Sequence, residues 1–267
     1  MSKRQTGWTE AKIARYAKEG RGQGELSSYK PWLIIQDVPS SGRVHRVMGW
    51  KTEREHHFLS DMEFNYFCLC DWAENVIDIR EQFPLDREIT LKIADKLNIK
   101  HPVDKQIPIV MTTDFFLTVR DDKGTSYKAR TIKASNDLNN TRIIEKFEIE
   151  RAYWEEQGIE WGIVTELEYP NALLSNLKFL HQSYEVDNDE LALFLSEWEN
   201  FEGKLLSNLK LFDAKYNFED GTGISLFKHA LAKRLLKIDM NKPIVGFQED
   251  VKNIEILKQR DDTARWA

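Results

Sequence analysis

The chain has 267 residues, of which 41% are hydrophobic and 31% charged, with a net charge of −6. That length exceeds what one small core needs, so one large or two modest domains are expected, and the composition excludes a disordered or fibrous chain. No apolar run reaches the ~18 residues of a membrane span, residues 1–5 carry no apolar secretory signal, and Cys68 and Cys70 suit a reducing cytoplasm, forming neither a disulfide framework nor a four-ligand zinc site.

The charge is unevenly spread. Residues 1–60 hold eleven Lys/Arg against six Asp/Glu, a balance of +5 that leaves the remainder at −11. A basic segment on an acidic body is compatible with phosphate contact through one face, with an ordinary solvated surface as the alternative. The phosphate-contact candidates are Arg21, Arg43, His45, Arg46, Lys51, His56 and His57. His56 and His57 with Asp61 raise the question of a metal site. Adjacent histidines face different ways on regular structure, which favours a solvated or phosphate-contacting role. Residues 19–31, rich in Gly, Ser and charge, read as a loop or flexible arm. The GRGQG stretch lacks a Walker lysine and a preceding strand, which excludes a nucleotide-binding loop. Its glycines would still permit backbone approach to a phosphate.

Regular patterning begins near residue 59. Leu59, Met62, Tyr66, Phe67 and Cys70 recur at helical spacing to about residue 73, and Ser60 with Glu63 forms a capping-box signature. Residues 76–83 read as a short strand ended by Pro84, and 86–100 as a helical insertion closed by His101 and Pro102. Strands at 110–119 and 126–134, joined by a turn at residues 121–124, predict a hairpin. A helix over 140–157 follows, with Gly158 placed as its C′ residue, and then a strand over 160–165. The order helix, strand, strand, strand, helix, strand matches the αβββαβ core of the restriction-endonuclease fold. A boundary falls near residue 168, marked by Pro170. Beyond it helices are expected over 171–181, 188–213 and 223–237, with a final hairpin around 243–257. Lys228, His229, Lys233, Arg234 and Lys237 would line one basic helix face, open to phosphate, an acidic partner or solvent.

Phosphodiester hydrolysis needs a positioned water, neutralised phosphate charge and a stabilised leaving oxygen, which carboxylates holding Mg²⁺ and a nearby lysine supply. Glu63 lies beside the apolar stripe of its helix. Asp114 precedes two phenylalanines, as an acid at the edge of a buried sheet, and Lys133 lies in the next strand of the hairpin. Glu150 falls in line with Ile143, Phe147 and Trp154, an expensive place for a carboxylate unless it is paired, protonated or metal-bound. Each has a bland alternative: Glu63 as half of a helix cap, Asp114 as a strand-end acid, Lys133 as a snorkelling lysine, and Glu150 in a salt bridge with Arg151, Lys146 or Lys133.

Several blocks in order then carry a resemblance: EGRGQG (19–24), YKPWL (29–33), VPSSGRVHR (38–46), HHFLSDME (56–63), DIREQFPL (78–85), IKHPV (99–103), MTTDF (111–115) and EKFEIERAYW (145–154). Through them the chain resembles the TnsA endonuclease family of heteromeric cut-and-paste transposons. The resemblance implies an α/β protein in two domains. Residues 1–168 would form a restriction-endonuclease-like catalytic domain, and residues 169–267 a smaller, mainly helical, winged-helix-like domain that binds partners. It implies a cytoplasmic bacterial endonuclease cutting the 5′ ends of a transposon with one or two Mg²⁺ ions, Mn²⁺ substituting. The implied partners are transposon-end DNA, a DDE-type transposase cutting the 3′ ends, and an AAA+ ATPase regulator reached through the C-terminal domain. Glu63 and Asp114 would be the metal-binding carboxylates and Lys133 the catalytic lysine, with Glu150 in support. Thr131 departs from the pattern, standing where such motifs place an acid or amide two residues before the lysine. Its hydroxyl and the Ile132 backbone carbonyl would have to serve the cation. That departure keeps open a degenerate subunit that bridges its partners without cutting. An independent restriction enzyme is disfavoured by the long shared blocks.

Overall fold

The computed structural model describes residues 7–38, 42–181, 186–244 and 246–257, so residues 1–5 and part of the 38–46 block lie outside it. The chain divides into two compact units, residues 1–168 and 169–267. Among the described residues no helix is long and apolar enough to cross a membrane.

In the first unit, α1 (Glu10–Lys18) starts at Thr9, whose hydroxyl accepts from the Lys12 amide. Residues 19–31 contain no α-helix, but they are tied down rather than free. A Cβ on Gly22 would sit 2.2 Å from Pro84, and Arg21 is folded inward onto Asp37 and the Tyr16 ring. The glycine therefore serves close packing within the protein, and this corrects the flexible-arm reading.

A short antiparallel pair, β1 (His45–Met48) and β2 (Glu55–Phe58), leads to α2 (Asp61–Trp72), capped by Ser60. The main sheet has the order β3-β6-β7-β8, formed by β3 (Val76–Pro84), β6 (Thr112–Asp121), β7 (Gly124–Ile132) and β8 (Glu160–Val164). Between β3 and β6 lie α3 (Arg87–Lys96), capped by Asp86, and a minor ladder of β4 (Val103–Asp104) and β5 (Ile107–Pro108). The β6–β7 hairpin closes at Asp121 opposite Gly124. Helix α4 (Thr141–Glu156), capped by Asn140 and followed by Gly158 at φ +67°, crosses over so that β8 runs parallel to β7. Strand β6 is thus central, not an edge. On one face Phe115 packs with Tyr66 of α2 and Phe58 of β2, and on the other Phe116 stacks on Trp154 of α4 at 4.9 Å.

The second unit is mainly helical, with α5 (Asn171–Leu180), α6 (Asn188–Glu197), α7 (Leu205–Tyr216) and α8 (Thr222–Ala232). Four expectations change here. The helix over 188–213 is two, because Trp198 and Phe201 turn in on Phe194 and Gly203 takes φ +71°. The helix over 223–237 stops at Ala232, where Arg234 adopts φ +55° and the chain leaves as β9 (Leu236–Lys237). The last strand, β10 (Glu255–Ile256), pairs with β9 rather than closing a hairpin within 243–257. Lys228 is buried at 5% exposure, its ammonium 4.1 Å from the Phe179 ring centroid, and Lys233, Arg234 and Lys237 lie past the end of α8, so the basic helix face expected from the sequence does not form.

Candidate active site

The N-terminus of α2 orients Glu63. The Ser60 hydroxyl accepts from the Glu63 amide at 3.1 Å and donates to Glu63 Oε1 at 2.9 Å, while the Leu59 amide donates to Oε2 at 3.1 Å. The capping reading and the functional one therefore describe the same side chain, since the cap fixes a carboxylate that also lines a cleft of about 450 Å³. Burial, and then the neighbouring Asp114 charge, push the Glu63 carboxyl up to about 8.

Asp114 reaches that cleft through a break in strand alternation. Regular pleating would put Glu81 and Phe83 on one face of β3. Instead Glu81 binds Arg54 and His56, whereas Phe83 packs on Phe116 and Trp154. The residue between them, Gln82, has φ +48°. On β6 the same slip occurs opposite: Thr113 bonds to the α4 side and Phe115 packs to the α2 side, with Asp114 between them. There Asp114 Oδ2 accepts from the Ile132 amide at 2.7 Å and Oδ1 from Gln82 Nε2 at 3.1 Å. The β6–β7 ladder ends at Phe115 opposite Arg130, and the carboxylate takes the Ile132 amide two residues further along β7. Burial pushes Asp114 up to about 6, against the Ile132 and Gln82 hydrogen bonds and the Lys133 charge, which favour its ionised form.

Glu150 closes the cleft from α4. Its Oε1 accepts from the Thr113 hydroxyl at 2.6 Å and the Thr131 hydroxyl at 2.5 Å. Trp154 donates to Thr113 at 2.7 Å and Trp161 to Thr131 at 3.2 Å. A carboxylate on an apolar helix face is thus satisfied by hydroxyls and indoles, not by the salt bridges considered above, and burial lifts it to about 7. Thr131 spends its proton on Glu150. Lys133, one residue beyond β7, also lines the cleft, with its ammonium 3.0 Å from Asp137.

The phosphate-contact candidates separate. His56 is fully buried, its ring bonded to Glu81 at 2.8 Å and Thr52 at 2.7 Å, and Arg21 is paired with Asp37 and Glu19; both are structural, which corrects their assignment to a DNA-facing surface. Arg43 and Arg46 are exposed, Arg46 lying 3.9 Å from Glu55. His45 bonds Asp61 at 2.6 Å and stacks on Phe64, His57 lies 3.5 Å from Glu55, and the Lys51 amide is held by Asp71. Gln82, Thr113 and Trp161 escaped the sequence reading as site residues, the first two appearing only within the DIREQFPL and MTTDF blocks, while Trp154 was read as part of the apolar stripe beside Glu150.

The donor set suits a hard, oxygen-seeking divalent cation: two carboxylates drawn together against their own repulsion, with hydroxyls and amides fixing their orientation. Among the described residues no three His, Cys, Asp or Glu side chains are grouped to hold a metal by themselves, so the protein would supply two carboxylates and leave other positions to water or substrate.

Comparison with known proteins gives the arrangement its context. Residues 73–166 match a model of the TnsA-like endonuclease N-terminal domain, and residues 168–240 a model of the TnsA endonuclease C-terminal domain. The chain is 38% identical over 248 residues to the Transposon Tn7 transposition protein TnsA of Escherichia coli, covering 91% of this chain and 90% of that protein. The chain belongs to the TnsA endonuclease family. For a TnsA endonuclease, the cleft bounded by Glu63, Asp114, Lys133 and Glu150 lies within the N-terminal unit, at the open end of the central sheet where β6 and β7 part.

Proposed function

We propose that this chain is the Mg²⁺-dependent DNA endonuclease subunit of a cut-and-paste transposase, hydrolysing phosphodiester bonds at the 5′ ends of the transposon in the bacterial cytoplasm. The observation that carries this is the convergence of Glu63, Asp114, Lys133 and Glu150 on one cleft in a member of an endonuclease family. Glu63 and Asp114 would hold the ion, with the Ile132 carbonyl on the same wall as a further oxygen and Mn²⁺ able to replace Mg²⁺. A divalent ion bound there neutralises charge on the scissile phosphate and acidifies a bound water. Lys133 contributes a cation at the rim, and Lys146 lines the same cleft. Arg43, Arg46 and Lys51 are the side chains we assign to the phosphate backbone, with His45 and His57 beside them.

The C-terminal unit we read as winged-helix-like and as the docking part for an AAA+ ATPase regulator, with a DDE-type transposase cutting the 3′ ends. Asp213 on α7 accepts from the Gly221 and Gly223 amides at 2.9 and 2.7 Å, making a tight helix–turn–helix into α8, and β9–β10 would supply the wing. One observation favours the second reading, a bridging subunit that does not cut: Thr131 stands where an acid or amide is usual and turns its hydroxyl to Glu150.

Strand mapping on transposon-end DNA with Mg²⁺ and the partner transposase separates the two. The nuclease reading expects 5′ nicks from wild type, lost in Asp114→Ala while 3′ nicks persist. Assembled wild-type complexes without 5′ nicks would establish the bridging subunit instead.

A further inference from the structure

Gln82 lies two residues before the end of β3, 3% exposed, with a left-handed backbone that a non-glycine residue adopts only at a cost. Its Nε2 faces Asp114 Oδ1 at 3.1 Å and Glu63 Oε2 at 3.5 Å, and its Oε1 accepts from the Thr112 hydroxyl at 3.0 Å. Chemistry dictates that orientation, because an ionised Asp114 carboxylate only accepts hydrogen bonds and the Thr112 hydroxyl has a proton to give. The Gln82 carbonyl accepts from the Trp32 amide at 3.2 Å, so the strained residue is held from backbone and side chain together. The local break in alternation has a consequence for both faces. It lets Glu81 stay in the Arg54–His56 cluster and Phe83 stay on Trp154, while the residue between them reaches the carboxylates.

We propose that Gln82 is a positioning residue for the Glu63–Asp114 pair, its amide setting the spacing and facing of both carboxylates toward a divalent cation. The proposal rests on the nuclease reading above. An amide suits the task because it orients both groups without adding charge. A lysine there would neutralise the pair and compete with the cation, and an ionised acid would add to the repulsion. Irregular strand positions beside active sites commonly re-aim a side chain in this way.

The test measures Mn²⁺ binding to the full chain by counting free Mn²⁺ with electron paramagnetic resonance, alongside the Mg²⁺ dependence of 5′ cutting. Gln82→Met keeps the length and removes both donors. Gln82→Gly removes the side chain and adopts φ +48° without strain, so a folding defect in the first variant would leave the second informative. Both are expected to bind Mn²⁺ about 10–100-fold more weakly than wild type, the usual effect of losing a group that orients a metal ligand. Their cutting should need more Mg²⁺, with a smaller loss at saturation. Asp114→Ala sets the baseline. Either Gln82 variant binding Mn²⁺ like wild type overturns the role of Gln82 while the nuclease reading stands. Wild type binding no better than Asp114→Ala overturns that reading, and this proposal with it.

Discussion

The Thr131 hydroxyl donates to Glu150 Oε1 at 2.5 Å, and Thr113 donates to the same oxygen at 2.6 Å. One carboxylate oxygen buried on α4 is thus shared by two strands of the sheet. Thr131→Val removes a donor from Glu150 and an acceptor from Trp161, so it should destabilise the protein by about 1–3 kcal/mol, the cost of buried polar groups left unpaired. Thr131→Ser should stay near wild type. Combining Thr131→Val with Glu150→Gln in a urea-denaturation cycle should give a coupling of at least about 0.5 kcal/mol. Additive effects would mean that the two residues do not act together.

Lys133 and Asp137 form an ion pair at 3.0 Å on the cleft rim, with both side chains partly in solvent. Such pairs add little stability. We therefore expect Lys133→Ala to fold normally and to lose at least about two orders of magnitude in 5′ cutting rate, the scale of one transition-state electrostatic contact. Asp137→Ala frees the lysine and should cut at least as fast as wild type. Equal losses from both substitutions would assign the work to the ion pair rather than to the ammonium.

How far these arrangements were legible depended on whether the cause was local. Ser60 and Asn140 announced helix starts because capping is a property of a few adjacent residues, and the β6–β7 turn was readable for the same reason. Glu150 stood out as a carboxylate in an apolar stripe, but its pairing with Thr113 and Thr131 did not, since they come from strands 37 and 19 residues away. The break between α6 and α7 had one local signal, Gly203, which takes φ +71°; tertiary packing of Trp198 and Phe201, which no adjacent residue announces, sets where the helix stops. Gln82 was invisible for a further reason: alternation is the rule that reads strands, and its position breaks that rule.

Glu81 is wholly buried and is held by Arg54 at 2.8 and 2.5 Å and by His56 at 2.8 Å, which keeps its carboxyl far below the usual range despite burial. This cluster ties β2 to β3 beneath the site. Removing one member of a buried ion pair strands the other, so Glu81→Ala should cost about 3–5 kcal/mol in denaturant titrations. His56→Ala should likewise destabilise, without changing the salt dependence of DNA binding that a phosphate contact would alter. A changed salt slope in a folded His56 variant would return that residue to the interface.

The three cleft carboxyls all titrate above their ordinary values, at about 8 for Glu63, about 6 for Asp114 and about 7 for Glu150, mainly through burial. Unfolded, these groups ionise near pH 4. The folded protein therefore holds protons that the unfolded chain has released, and stability present below about pH 4 is lost as pH rises toward 8. Melting temperature in chelator should fall across that window, and Glu63→Gln should flatten the upper part of the slope. A divalent cation works in the opposite sense, because it binds the ionised pair and must displace the proton on Glu63. Mg²⁺ should accordingly raise the melting temperature more at pH 8 than at pH 6, with proton release seen as buffer-dependent heat in calorimetry. Stabilisation by Mg²⁺ that is equal at both pH values, with no proton released, would place the ion away from these carboxylates.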